Sequence, residues 1–240
     1  MKRAYQKILV TTTTVLICFS IFLGLVLHNF LPTYGDKIKS IEIIVDAGHG
    51  LPDGGAVAKD GTMESDLNLK IAELLHKKLK NSNISVIMTR SDENGIYDDE
   101  TTIRSKKVAD AKKRVSICDD NPKSLVVSIH MNAFSSPSVY GCQVFFQSGS
   151  TLSQNLAQVL QQNVNQALQQ NKTCKEIPKN VYLFKNISNP AILIECGFLS
   201  NANDVSNLKD PVYQDKIAEI IYQSIQKYRK IKGCAVNGKK

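Results

Sequence analysis

Leu125-Val-Val-Ser-Ile-His130 is a run of strand-forming residues that leads straight into an imidazole. A short apolar run of this kind reads as a strand buried on both faces, the pattern of sheets covered by helices on either side. Moving outward, Ile41–Val45, Ile84–Met88, Val139–Phe146 and Ile192–Ile194 carry comparable runs. Between them, apolar residues recur at helical spacing. Leu67, Ile71, Leu74, Leu75 and Leu79 form one face of a helix opening near Ser65. Leu152, Leu156, Val159, Leu160, Val164 and Leu168 form a second, and Ile217, Ile220, Ile221, Ile225 and Tyr228 a third that ends before Gly233. A further helix is expected over 102–119. Strands alternating with helices predict a single-domain α/β sandwich with a mostly parallel central sheet flanked by helices. Gln161, Gln162, Gln166, Gln169 and Gln170 read as the polar face of their helix. No internal repeat is visible.

The chain has 240 residues, 42% of them hydrophobic, enough for one well-packed domain but not for two. Lys2, Arg3 and Lys7 precede Ile8 to Leu31, 24 residues without a charged side chain. That length spans a bilayer as a helix, and no small-x-small cleavage site precedes Pro32. Residues 1–31 therefore read as an uncleaved signal anchor, with a cleaved signal as the alternative, and 32–39 as a linker. Residues 40–232 read as the folded domain and 233–240 as a flexible basic tail. The positive-inside rule leaves the folded domain outside the cytoplasm, membrane-anchored or exported. Taking the three N-terminal cations from the 30 basic residues leaves 27 against 22 acids, a net +5 on the remainder. Such a surface is either simply solvated or attracted to an anionic matrix such as a cell wall. Nucleic acid is excluded as a partner: there is no zinc-finger spacing, no recognition motif with interleaved aromatics and no Trp. The six cysteines (Cys18, Cys118, Cys142, Cys174, Cys196, Cys234) are scattered without a C-x-x-C pair, which indicates neither a disulfide framework nor a thiolate metal site. Only Cys196, next to Glu195, has a chemical alternative to being a small buried residue.

Four polar residues stand out. His49 lies in Val45-Asp-Ala-Gly-His-Gly50, Glu64 follows a Gly- and Asp-rich loop, His130 closes the opening stretch, and Glu195 closes Ala191-Ile-Leu-Ile-Glu. Three of them fall at the C-terminal ends of expected strands, the sheet edge at which ligands gather in open α/β folds. Two histidines and one carboxylate also leave a zinc ion a free position for water, so the set predicts a zinc hydrolase. Glu195 would cost several kcal/mol to bury ionised unless a metal or a catalytic role compensates it. Glu64 taken alone also permits a plain helix-start reading. Asp46 and Asp53 each either orient a histidine ring through its second N–H or serve as turn residues. His76 and His28 read as a surface and an interfacial residue.

The segments Val45-Asp-Ala-Gly-His-Gly50, Met63-Glu64, Val127-Ser-Ile-His-Met-Asn-Ala133 and Ile194-Glu-Cys-Gly-Phe-Leu-Ser-Asn201 resemble the zinc-dependent N-acetylmuramoyl-L-alanine amidases, in that family's order, from about Ile41 to Ile231. The resemblance implies a twisted six-stranded sheet and one Zn2+ on His49, Glu64 and His130, with Glu195 as the catalytic residue. It also implies peptidoglycan as substrate, cut at the amide joining the lactyl group of muramic acid to the first L-alanine of the stem peptide. Arg114 matches a family arginine that is structural or rim-forming, or else touches substrate. Asn132 is a further second-shell or substrate residue. Ser91-Asp-Glu-Asn-Gly-Ile-Tyr97, Ile103-Arg-Ser-Lys-Lys107 and the anchored single-domain layout resemble the branch that acts on spore cortex, where the product feeds formation of muramic δ-lactam ahead of germination. Whether an exported accessory protein helps hold the metal site is left open. The rivals are another cell-wall zinc hydrolase, a peptidase or deacetylase, and a non-catalytic wall-binding module.

Overall fold

In the computed structural model, which describes Ser20 and residues 42–237, the opening stretch forms the middle of the sheet. In chain order the elements are β1 (Ile43–Ala47), α1 (Glu64–Asn81), β2 (Val86–Met88), α2 (Ile103–Asp119), β3 (Leu125–Asn132), β4 (Gln143–Phe146), α3 (Thr151–Leu168), β5 (Lys175–Glu176), α4 (Tyr182–Asn186), β6 (Ala191–Phe198), α5 (Ala202–Lys209) and α6 (Pro211–Asn237). The sheet order is β2-β1-β3-β6-β4-β5. The expected anchor, apart from Ser20, and the linker lie outside the described residues, as do residues 238–240 of the tail. Among the described residues no helix is long and apolar enough to cross a membrane.

Side chains alternate across a strand, and here both faces are buried. Ile43, Val45, Val127, Ile129, Ile192 and Ile194 pack into a large cluster with Leu67 and Ile71 of α1, Leu156 and Leu160 of α3, and Ile217 and Ile221 of α6. Ile44, Val126, Ala191 and Leu193 point the other way, into a smaller cluster with Cys118 of α2 and Leu183 and Phe184 of α4. The result is a three-layer α/β/α sandwich, which is why β3 reads as continuously apolar.

The sheet is mostly parallel, as expected, with one antiparallel pairing. The strands β2, β1, β3 and β6 run parallel, β4 is antiparallel to β6, and β5 is parallel to β4. A parallel crossover needs a dozen or more residues and usually a helix. Only the loop 133–142 separates β3 from β4, so the chain comes back in the opposite sense. β4 is also shorter than expected. Over its first residues the open edge is closed by side chains: Gln161 Oε1 accepts from Val144 N at 2.8 Å, and Gln170 Oε1 accepts from Cys142 N at 3.0 Å. Gln161 is therefore buried rather than part of a polar helix face, since the backbone groups it meets have no strand partner there. β5, α4 and α5 were not anticipated. They are short, and each contributes too few apolar residues to show a period. Helix α6 continues through Gly233 to Asn237, past the expected stop.

Candidate metal centre and active site

The site assembles at the C-terminal edge of β1, β3 and β6. β1 ends at Ala47 and the chain turns through Gly48 into His49, which has φ 57, a left-handed conformation that histidine tolerates better than most residues. Gly48 is required by the close approach of His130, because a Cβ on it would lie 2.2 Å from His130 Nε2. Gly55 plays the same part for the opposite wall: its Cβ would meet Glu64 Oε2 at 2.5 Å and His49 Cδ2 at 2.8 Å. Glu64 opens α1 and is buried. His130 stands within β3, in register with Glu195 on β6.

His49, Glu64 and His130 offer ligand atoms that all lie within 4.8 Å of one another. Glu64 Oε1 is their meeting point, 2.8 Å from His130 Nδ1 and 3.4 Å from His49 Nε2. Asp53 Oδ2 lies 3.0 Å from His49 Nδ1, an acceptor that fixes the Nδ1–H tautomer and leaves Nε2 for a cation. Asp53 also pairs with Lys107 at 3.0 Å and accepts from Gly55 N. Glu64 is held further by Ala56 N, Met131 N and Asn68 Nδ2. Burial alone would lower the His49 pKa, but the Asp53 and Glu64 carboxylates override it and raise it to about 9. Burial would raise Glu64, yet the two imidazoles hold its carboxyl well below the usual range. Two imidazoles and a carboxylate facing one point, with glycines cut back around them, fit a divalent cation.

Glu195 differs from Glu64 in having no such support. Its Oε2 is buried with no hydrogen-bond partner among the described residues. Burial, reinforced by the nearby Glu64 carboxylate and opposed by the two histidines, raises its pKa to about 7. Cys196, one residue on, faces the large cluster on the other side of the sheet, and burial pushes its thiol far up, so it has no place in this chemistry. Cys118, Cys142, Cys174 and Cys196 are all free thiols.

Of the four flanking residues named from sequence, only Asp53 meets a histidine ring. Asp46 is neither an orienting group nor a turn residue: it sits inside β1, on the face opposite Val45, and pairs with Arg114 Nη1 at 2.5 Å while accepting from Thr89 Oγ1 and Ser128 Oγ. Burial raises its pKa, but Arg114 above all brings the net value down to about 2. Arg114 is 5% exposed, which removes the substrate-contact reading. It donates instead to the carbonyls of Ala47 at 2.7 Å and His49 at 2.6 Å, and α2 anchors it through Asp110 at 2.7 Å. Asn132 ends β3, where its side chain accepts from Ala133 N and lines a surface cleft.

Arg90 was missed. Its guanidinium donates to the carbonyls of Ala47 at 3.0 Å, Gly48 at 3.0 Å and Ser65 at 2.8 Å. It thereby ties the residue before His49 to the residue after Glu64. The available signal was a lone cation immediately beyond the Ile84–Met88 strand, on the same sheet edge as the chemistry.

Fold and site together define an α/β protein whose side chains can hold a metal ion at the edge of its sheet. Residues 43–227 match the N-acetylmuramoyl-L-alanine amidases, and the chain belongs to that family and is an amidase of that kind. It is 34% identical over 192 residues to the germination-specific N-acetylmuramoyl-L-alanine amidase of Bacillus subtilis (strain 168), covering 80% of this chain and 81% of that protein. Among solved structures it is similar to the CwlD amidase from Clostridioides difficile in complex with the GerS lipoprotein, at 38% identity and TM-score 0.76 over 79% of this chain and 98% of that one. An N-acetylmuramoyl-L-alanine amidase from Clostridium difficile 630 is 29% identical with TM-score 0.69, covering 80% and 97%.

Proposed function

We propose that His49, Glu64 and His130 hold one Zn2+ and that Glu195 is the acid–base group for cleavage of the muramoyl–L-alanine amide. When bound, such an ion supplies Lewis-acid chemistry, polarising the amide carbonyl and acidifying water at the site. Glu195, with a pKa near 7, takes the proton from the attacking water and passes it to the departing alanine nitrogen. Asp53 keeps His49 in the ligating tautomer, while Arg90 and Arg114 fix the backbone that carries it. The acyl group stays on muramic acid as a free lactate carboxyl, and the glycan strand remains intact. The observation that carries this reading is the buried, unpartnered Glu195 Oε2 beside a convergent His–Glu–His set. A carboxylate left in that condition has a cost that only a reacting proton or a cation offsets.

The similarity to one germination-specific relative supports a role in spore cortex, where the stripped muramic acid goes on to muramic δ-lactam. On this reading the domain works outside the cytoplasm, attached through residues 1–31. A relative solved with a lipoprotein supports an exported accessory protein for this chain as well. Glu195→Gln tests the assignment. It retains zinc by elemental analysis and loses roughly 10²–10⁴-fold in turnover, the range for a positioned acid–base group. Parental turnover in that variant would remove Glu195 from the chemistry.

A further inference from the structure

The same sheet face that presents His130 and Glu195 continues across β4 and β5 into an open cleft of about 650 Å³. None of the four site residues lines it, but two of its lining residues adjoin them in the sheet. Gln143 on β4 stands directly opposite Glu195, and Phe198 is the register partner of Asn132, two residues past His130. Phe145, paired with Leu193 and Lys175, carries the cleft outward along the face. The cleft is lined by Lys172 and Lys175 and contains no acidic side chain. The two lysines differ in freedom. Lys172 Nζ donates to the carbonyls of Tyr140 and, at 2.8 Å, Gly141, and lies 5.0 Å over the Phe198 ring. It is committed to shaping the wall. Lys175 is exposed and has no ion-pair partner among the described residues.

An amidase substrate leaves the scissile bond in two directions, a neutral, hydroxyl-rich glycan on the acyl side and a peptide bearing carboxylates on the amine side. A cleft with two cations, no anion and apolar ring walls complements the second arm. We propose that this cleft receives the peptide arm and that Lys175 pairs with one of its carboxylates, making Lys175 a specificity-determining residue. The inference rests on the amidase reading of the adjoining site. An exposed ion pair of this kind is modest in strength and acts chiefly on binding.

The test uses the full chain in detergent, loaded with zinc, and two muropeptides that differ only in carrying free or amidated stem carboxylates. Lys175→Glu is expected to raise KM for the acid form by about three- to tenfold, with kcat within about twofold and the amidated form unaffected. Equal responses to both forms, or an unchanged KM for the acid form, would overturn the assignment. A direct measurement separates this from failure of the chemistry itself. Binding of the free stem peptide, without muramic acid, is followed by calorimetry on Glu195→Gln with and without Lys175→Glu. Loss of binding with the charge reversal supports the cleft even if turnover is absent. Undiminished peptide binding overturns it, as does a peptide-free glycan oligomer whose binding is what the reversal abolishes. A parent chain that cleaves neither muropeptide even with its accessory protein added refutes the proposed site chemistry alone, and the calorimetry still decides the cleft.

Discussion

Gly48→Ala is the most informative single perturbation because its effect can be worked from one contact. The new Cβ would lie 2.2 Å from His130 Nε2 and 2.3 Å from Cε1, whereas ordinary contact begins at 3.4 Å. The ring must retreat by roughly 1 Å, since a close-packed site leaves nowhere else to absorb the overlap. Metal–ligand distances tolerate only about 0.2 Å, so His130 is lost as a ligand while the strand beneath it stays in place. Changes to groups that merely orient ligands cost about 10–100-fold in metal affinity. Displacing a ligand outright should reach or exceed the upper end of that range. The packing cost is about 1–3 kcal/mol, equivalent to a fall in Tm of roughly 2–10 °C for a domain of this size. The assay is zinc titration against a chromophoric chelator, alongside circular dichroism and a zinc-free melt. Gly54→Ala is the control, because its Cβ meets only the flexible Met63 side chain, 3.0 Å from its sulfur. A Gly48→Ala protein that binds zinc as tightly as the parent would refute the reasoning.

Two further outcomes follow from the same geometry. The proton that His49 keeps up to about pH 9 must leave before a cation binds, so apparent zinc affinity should climb about tenfold per pH unit towards pH 9 and level off above it. Stability moves the other way: a histidine raised above its unfolded value near 6.5 contributes stability below that pH and loses it as pH rises through 9. A pH-independent zinc affinity between 6.5 and 9 would contradict this. Arg90→Met should weaken zinc binding by about 10–100-fold, because the carbonyls beside His49 and Glu64 lose their common tether. If the variant melts earlier but its folded fraction binds zinc as the parent does, Arg90 is a packing residue only.

The layers and the four chemical positions are legible in the chain because strong periodicities carry them. β3 announces two-sided burial, α1, α3 and α6 show clear apolar faces, and His130 and Glu195 interrupt strands in which a polar residue is otherwise costly. Other features depend on contacts that no local pattern encodes. Asp46 looks like a loop acid beside Gly48, yet its partner Arg114 lies on α2, a helix with only a weak apolar face and just Arg114 and Cys118 buried. Gln161 looks like surface until the short β5 leaves β4 with an open edge. Arg90 acts through backbone carbonyls, which are present at every residue and mark none of them. The reversal of β4 is carried by the loop 133–142, which is too short for a parallel crossover.

The central claim is that this site hydrolyses the muramoyl–L-alanine amide with a metal held by His49, Glu64 and His130. Mass spectrometry of peptidoglycan digested by the full chain, with and without added zinc, tests it most directly. The account predicts free stem peptides beginning at L-alanine, together with glycan bearing lactate carboxyls, only when zinc is present. Products that keep L-alanine on muramic acid, released acetate, or the same stem peptides formed equally well without metal would contradict it.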